Sequence, residues 1–219
     1  MSSTDPFIIV VGVDFSVLSG LALDEALKQA SLHPSAEVHA LYVQPEAWTG
    51  PPHGALQNAV DTNTALREVQ ENAADHVARM PADLAKTRIR RVVAHFRRGS
   101  PAQNVAQLAS DLDADLVVVG SHGHRGVERF FLGSVAERIS RLAHCPVLIV
   151  RPKDHSTAGQ VPEIEATCPD CLTARRASGG VQLWCARHSE HHLRPHTYSY
   201  ASDGIYSPDT TAYASTPGE

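Results

Sequence analysis

The first 150 residues alternate between short, continuous apolar runs and longer segments in which apolar residues recur every three or four positions. Continuous runs are typical of strands buried on both faces, and a period of three to four is typical of helices that cover a sheet. Alternation of the two predicts an α/β fold with a doubly wound, five-stranded parallel sheet. The predicted strands are residues 7–13, 37–44, 90–96, 116–119 and 146–150, and the helices predicted between them are residues 21–30, 66–80, 101–112 and 135–143.

A glycine-rich loop follows the fourth predicted strand and leads into a helix. Between Gly120 and Ser134 it reads GSHGHRGVERFFLGS. Glycine lets the backbone approach an anion closely, and the amides around Gly133 and Ser134 are expected to point free N–H groups at the same place. In a doubly wound sheet, ligands bind beyond the carboxyl ends of the strands, where Asp14 and Val43 are also predicted. The loop is therefore predicted to hold phosphate, and the implied ligand is a nucleotide.

The same loop also fits structural roles. Ser134 followed by Glu137 has the spacing of a capping box, which would explain both residues without a ligand but would not explain Gly123. His122 and His124 have the chemistry to move protons, although solvated or phosphate-contacting loop histidines are the favoured interpretation. The chain has no G-x-x-x-x-G-K-[ST] motif and no obvious set of carboxylates beside the loop to hold Mg²⁺, so strong ATPase activity is not implied.

The spacing of the loop's glycines resembles that of the universal stress protein family, and specifically of its ATP-binding branch. The strand VVVG precedes the loop and PVLIVRP follows its helix, while VGVDFS, YV and LGSVAERI stand at matching places. The resemblance covers about residues 5–152, within a first domain of residues 1–152. It implies an adenine nucleotide α-hydrolase-like fold.

The resemblance also implies an ATP site. Gly12, Val13 and Asp14 would come from the first loop, with Asp14 near the adenosine, and Val43 would offer backbone contacts to adenine. Some ATP-binding relatives have Pro-Thr where this chain has Gly12-Val13, so only backbone contacts are expected there. The triphosphate and ribose would lie along Val119, Gly120, Gly123, Gly133, Ser134 and Val135.

The resemblance further implies a homodimer formed through the last strand, residues 146–150, whose apolar edge would otherwise be exposed. ATP, with or without Mg²⁺ or Mn²⁺, is expected to be a regulatory ligand. It would order the loop from Gly120 to Ser134 and so change the surface offered to a protein partner. The alternative from the enzyme class is a slow ATP or nucleotide hydrolase that uses the histidines near the loop.

Beyond the first domain the composition changes. Residues 153–167 are predicted to be a polar linker, residues 168–196 are dense in Cys, His and Arg, and residues 197–219 form an irregular tail. Cys168-x-x-Cys171 and Cys185-x-x-His188 are separated by thirteen residues, which is the spacing of a structural zinc site.

A Gly179-Gly180 pair lies midway between the two halves of that motif, so a hairpin and hence a small zinc ribbon are predicted. A Cys168–Cys171 redox pair is an alternative. The fourth ligand is predicted to be His188, and the alternatives for it are His191, His192 and His196.

Charge and hydropathy restrict the partners. A formal net charge of −5 gives no reason to expect non-specific nucleic-acid binding. The predicted ribbon is locally basic, which is compatible with nucleic acid or with an acidic protein, so a zinc-dependent adaptor with the sheet as a dimer scaffold is a third hypothesis. The chain lacks an apolar stretch of membrane-spanning length and an N-terminal signal, so no membrane contact and a cytoplasmic location are expected.

Overall fold

The computed structural model describes residues 5–45, 61–81, 89–122, 132–155 and 166–190. The chain divides into two compact units, Met1–Pro152 and Lys153–Glu219. None of the helices in the described ranges is long and apolar enough to cross a lipid bilayer.

The first unit contains a five-stranded sheet flanked by four described helices. Its strands are β1 (Ile8–Val13), β2 (Ala36–Gln44), β3 (Ile89–Arg98), β4 (Leu116–Gly120) and β5 (Val147–Val150). Its helices are α1 (Val17–Leu32), α2 (Thr62–Arg79), α3 (Pro101–Asp111) and α4 (Ser134–Leu142). Each predicted strand and helix is present, and the differences are confined to the ends of the elements.

All four strand pairings are parallel, and the order across the sheet is β3-β2-β1-β4-β5. The register places Val13 beside Tyr42, and Tyr42 beside Phe96. On the other side of β1, Val11 lies beside Val118. The prediction of a five-stranded, all-parallel α/β sheet is confirmed.

Each face of the sheet carries its own apolar core. Ile9, Val11 and Val13 of β1 pack with α1, whose Leu23 and Leu27 are fully buried. The residues between them point to the opposite core, which α3 and α4 cover. Burying one such aliphatic side chain stabilises the fold by about 1.5–3 kcal/mol, so strands that are apolar on both faces hold helices on both sides.

The amino ends of β1 and β4 are joined through Asp115, which directly precedes β4. The Ile8 N–H donates to Asp115 Oδ2 at 2.8 Å, and the Asp115 N–H donates to the Ile8 carbonyl at 2.9 Å. The two strands are thus set in register at the edge of the sheet opposite the predicted ligand site.

The second unit departs from prediction. Its described part contains two helices, α5 (Pro169–Ala177) and α6 (Ala186–Glu190), and residues 166–190 contain no strand. The predicted hairpin is wrong because Pro169, at a first-turn position, starts a helix that continues through helix-forming residues to Ala177, into the segment between the two halves of the motif. Gly179 and Gly180 have φ angles of 61° and 95°, so they reverse the chain after a helix, where glycine adopts a left-handed conformation without strain.

Candidate functional site

The sheet reverses its winding direction between β1 and β4, which lie side by side although they are distant in sequence. Parallel sheets bind ligands beyond the carboxyl ends of the strands at such a point. Nine of the ten predicted nucleotide-site residues are described, and they lie at or just beyond the carboxyl ends of β1, β2 and β4 or at the start of α4. The described ones are Gly12, Val13, Asp14, Val43, Val119, Gly120, Gly133, Ser134 and Val135; Gly123 lies outside the described residues, as does His124.

The loop after β1 holds Asp14 in place through backbone and serine contacts. The Ser16 N–H donates to Asp14 Oδ1 at 3.0 Å, and the Asp14 N–H donates to Ser19 Oγ at 3.2 Å. Ser16 also caps α1 by accepting the Ser19 N–H at 3.2 Å. The half-buried carboxylate of Asp14 is therefore fixed at the start of a helix.

An aromatic row supports that loop, and sequence reasoning did not identify it. The Phe15 and Tyr42 ring centroids are 5.2 Å apart, those of Tyr42 and Phe96 are 6.0 Å apart, and Arg98 lies 5.3 Å above the Phe96 ring. Phe15 has a φ of 62°, which costs a non-glycine residue free energy and persists only where neighbours hold it. Burial, with the nearby charges of Asp14 and Glu68, raises the pKa of Tyr42. The rings of this row come together only because β1, β2 and β3 pair in this register, and sequence periodicity does not predict strand register.

A backbone hydrogen bond joins the two described ends of the loop after β4. The Gly133 N–H donates to the Ser121 carbonyl at 2.8 Å, and a Cβ placed on Gly133 would lie 2.8 Å from that same oxygen. A Cβ on Gly120 would lie 3.0 Å from the backbone of Leu18. Both glycines are thus required by packing, and the prediction of a free Gly133 amide is wrong because the amide is already donated within the loop.

Helix α4 begins differently from the predicted capping box. Its N-cap is Gly133, no side chain caps it, and Ser134 is the first helical residue. Glu137 bonds Arg141 rather than the backbone before the helix. The predicted capping box is therefore not formed, because the helix begins one residue earlier than the box requires. The amides of Ser134, Val135 and Ala136 occupy the first helical turn, where no intrahelical acceptor exists. Such a helix start attracts anions.

His122 is half-buried, and its Nδ1 lies 3.2 Å from Ser121 Oγ. Its Nε2 is buried and has no hydrogen-bond partner among the described residues.

A buried polar cluster lies on the α3 face of β2 and β3, and sequence reasoning missed it as well. Glu37 and His39 are 2% and 3% exposed. Arg91 donates to Glu37 at 2.7 Å, and His39 Nδ1 lies 2.9 Å from His95 Nε2. Glu37 and His39 were visible in the sequence as polar residues two apart within an apolar strand.

The electrostatics of this cluster favour neutral imidazoles beside a charged carboxylate. Burial alone would raise the pKa of Glu37, but the hydrogen bond and charge of Arg91, with the charge of Arg90, hold it below its usual value. Burial lowers the pKa of His39 despite the nearby Glu37. Burial, with the charges of His39 and Arg97, lowers the pKa of His95 to about 4.

In the second unit, the structure brings together the four predicted metal ligands. The ligating atoms of Cys168, Cys171, Cys185 and His188 all lie within 4.8 Å of one another. Cys171 Sγ lies 3.6 Å from Cys185 Sγ and 3.2 Å from His188 Nδ1. The alternatives for the fourth ligand, His191, His192 and His196, lie outside the described residues.

Backbone amides surround the sulfur atoms of this cluster. Cys168 is the N-cap of α5, and the amides of Cys171 and Asp170 lower its pKa. The Cys185 N–H donates to Cys171 Sγ at 3.4 Å, while burial raises the pKa of Cys171. Three thiols and an imidazole at these distances can bind a tetrahedral metal ion.

Known proteins resemble the first unit along most of its length. The model of the Universal stress protein family matches residues 7–151. Universal stress protein MJ0531 of Methanocaldococcus jannaschii is 33% identical over 144 residues, which are 65% of this chain and 81% of the relative.

Two solved structures are also similar to this chain. That of hypothetical protein MJ0577 matches with a TM-score of 0.51 and 24% identity, over 67% of this chain and 96% of that chain. That of a universal stress protein in complex with cAMP matches with a TM-score of 0.46 and 24% identity, over 67% of this chain and 97% of that chain. Only the first likeness is close enough to bear on the fold, and neither bears on function. By the family match and the identity of the archaeal relative, the chain belongs to the universal stress protein family.

Proposed function

We propose that the first unit binds ATP as a regulatory ligand, as in the ATP-binding branch of the family. The observation that carries the proposal is the meeting of three chain segments at the reversal point of the sheet. They are the loop holding Asp14, the end of β2 at Val43, and the start of α4 at Ser134. A carboxylate and a helix start without a side-chain cap, both at the carboxyl end of the sheet, suit a ligand with hydroxyl groups at one end and phosphates at the other.

In this proposal, phosphate groups accept hydrogen bonds from the first-turn amides of α4, and the Asp14 carboxylate accepts one from the ribose. Val43 is 7% exposed and belongs to the core with Val119, so its contribution is a backbone contact with the base. ATP binding orders the β4–α4 loop and thereby shifts the population of surfaces presented to a partner.

Isothermal titration of ATP into the full chain tests the site. Asp14→Asn keeps an oxygen for the Ser16 N–H but removes the charge, and it is expected to weaken binding about tenfold or more. Asp113→Asn is the matched control, because it makes the same change in the turn before β4, at the opposite edge of the sheet. Equal ATP affinities of the wild type and Asp14→Asn would refute the placement of the nucleotide.

We also propose a homodimer through β5. This strand ends the described sheet, and all four of its residues, Val147–Val150, are half-buried in one chain. Pairing would satisfy its outer backbone groups and cover its apolar side chains. Sedimentation equilibrium should show a dimer, and amide exchange in β5 should slow as the protein concentration rises; a monomer throughout would refute the proposal.

A second function is proposed for residues 166–190, as a zinc-binding module that contacts an acidic protein partner. It is supported by the Cys–His cluster and by an exposed surface that includes Arg175, Arg176, Arg187 and the 75%-exposed Val181. Deleting residues 160–219 should abolish partner capture and leave ATP affinity unchanged. Capture that survives the deletion, or that survives Arg175→Glu with Arg176→Glu, would contradict this role.

A further inference from the structure

We propose that a single Zn²⁺ ion folds residues 166–190, bound by Sγ of Cys168, Cys171 and Cys185 and by Nδ1 of His188. The inference rests on the zinc-binding module of the proposed function and adds what the ion does there. It replaces a hydrophobic core, so the surface of the module exists only in the metal-bound protein.

The burial pattern of this unit shows why an ion is needed. Among residues 166–189, whose side chains are described, only Cys171 and His188 are buried, each 7% exposed. Of the larger apolar side chains, Leu172 and Val181 are 36% and 75% exposed, and Leu183 and Trp184 are only half-buried. Two packed helices ordinarily bury an apolar stripe from each partner. Here the buried side chains are instead a thiol and an imidazole, which are donor groups of a structural metal site.

The donor atoms already have nearly the spacing of a tetrahedral site. Zinc–sulfur bonds of about 2.3 Å and zinc–nitrogen bonds of about 2.0 Å place neighbouring donor atoms about 3.5–3.8 Å apart. Cys171 Sγ and Cys185 Sγ are 3.6 Å apart, and His188 Nδ1 lies 3.2 Å and 3.7 Å from those two sulfurs. These three donors need shifts of only a few tenths of an ångström to bind one ion, and Sγ of Cys168 lies within 4.8 Å of each of them.

The path of the chain makes the ion the link between the two helices. Cys168 and Cys171 flank the start of α5, and Cys185 and His188 flank the start of α6. The described part of α6 has five residues, and a helix of that length does not persist alone. The turn at Gly179 and Gly180 brings the helices together, and the metal bonds hold them there.

The donor set also selects the metal. Three thiolates and one imidazole favour a soft or borderline ion with tetrahedral coordination, and disfavour Mg²⁺ and Ca²⁺, which take oxygen ligands. A closed set of four protein ligands is that of a structural site, because no position is left for water or substrate.

Metal analysis of the full chain, dialysed with zinc, tests the ligands. The wild type and the matched control Cys145→Ser should each hold about one zinc per chain. Cys171→Ser and His188→Ala should lower zinc affinity about a hundredfold or more, and His188→Cys should restore it, since a fourth thiolate suits the same geometry. Full zinc retention in His188→Ala, with loss in His191→Ala, would overturn the assignment of the fourth ligand.

Hydrogen exchange on the full chain tests the folding role. Removing zinc with a strong chelator should abolish protection of the amides in α5 and α6, while amides of β1 and β4 keep theirs. Restoring zinc should restore protection. A chain that binds one zinc but keeps α5 and α6 protected without it would overturn this inference and leave zinc binding intact. A chain that binds no zinc would overturn both.

Discussion

At the scale of single residues, the glycines near the proposed nucleotide site are held by contacts within the fold. A Cβ on Gly120 would meet the backbone of Leu18 at 3.0 Å, and one on Gly133 would meet the Ser121 carbonyl at 2.8 Å. Their positions were predictable because a glycine loop between a strand and a helix is a strong local signal. The contact of Gly120 with Leu18 was not predictable, because the two residues are about a hundred positions apart in sequence.

Gly120→Ala is expected to lower the free energy of unfolding by about 1–3 kcal/mol, because backbone atoms of α1 cannot move away independently. Gly12→Ala is the comparison variant and should lower the free energy of unfolding less. Its Cβ would lie 3.3 Å from the Val119 side chain, which can move more easily than backbone atoms. Urea unfolding of the two variants measures the difference. A smaller loss for Gly120→Ala than for Gly12→Ala would contradict the close packing of β4 on α1.

The buried cluster of Glu37, His39 and His95 predicts acid sensitivity. The pKa of His95 falls from 6.5 to about 4 on folding, so the unfolded chain binds more protons than the folded chain between these values. Stability is therefore full above pH 6.5 and declines as the pH falls toward 4. Between pH 7 and 5 the decline from His95 should be about 1–2 kcal/mol.

Urea unfolding at a series of pH values measures this decline. His95→Gln should flatten it, whereas His144→Gln, at an exposed position before β5, should leave it unchanged. An unaltered slope in His95→Gln would show that the pair of imidazoles does not carry the proton linkage.

At the scale of elements, periodicity located the strands and helices of the sheet because each buries a regular apolar face. It failed for the C-terminal unit, where few apolar residues exist to set a period and where the two buried side chains among residues 166–189 are Cys171 and His188. The Cys-x-x-Cys and Cys-x-x-His halves were still readable, since ligand spacing is local. The intervening hairpin was not, because a Gly-Gly pair reverses the chain after a helix as readily as between strands.

The starts of α1 and α4 separate two kinds of serine. Ser16 accepts the Ser19 N–H as an N-cap, so Ser16→Ala should lower the free energy of unfolding by about 1 kcal/mol. Ser134 is the first helical residue and makes no cap bond, so Ser134→Ala should change stability by less than about 0.5 kcal/mol. Chemical denaturation of both variants measures these changes in the free energy of unfolding. A loss for Ser134→Ala as large as that for Ser16→Ala would reinstate the capping box.

At the scale of the whole molecule, the strand order brings residues from distant parts of the sequence to one candidate site. Asp14 and Gly120 are about a hundred residues apart, yet the pairing of β1 with β4 places the loops that follow them side by side. Alternating strands and helices predicted a parallel sheet that binds ligands beyond the carboxyl ends of its strands, and the family resemblance predicted individual residues of the site. The aromatic row and the polar cluster depend on β2–β3 register, which follows from packing that no local pattern encodes.

If ATP binds at this reversal point, it must stabilise the first unit, because a ligand that binds only the folded state adds RT ln(1 + [L]/Kd) to the free energy of unfolding. At an ATP concentration a hundred times Kd this is about 2.7 kcal/mol, which for a unit of this size raises Tm by about 5–10 °C. Tripolyphosphate reaches the α4 amides but has no nucleoside for Asp14 and Val43, so it should raise Tm by much less. Differential scanning fluorimetry of the full chain with each compound, in the wild type and in Asp14→Asn, separates nucleotide recognition from anion binding. Equal increases in Tm with ATP and tripolyphosphate would show that the helix start binds phosphate alone. The proposal that this site recognises the nucleoside would then be refuted.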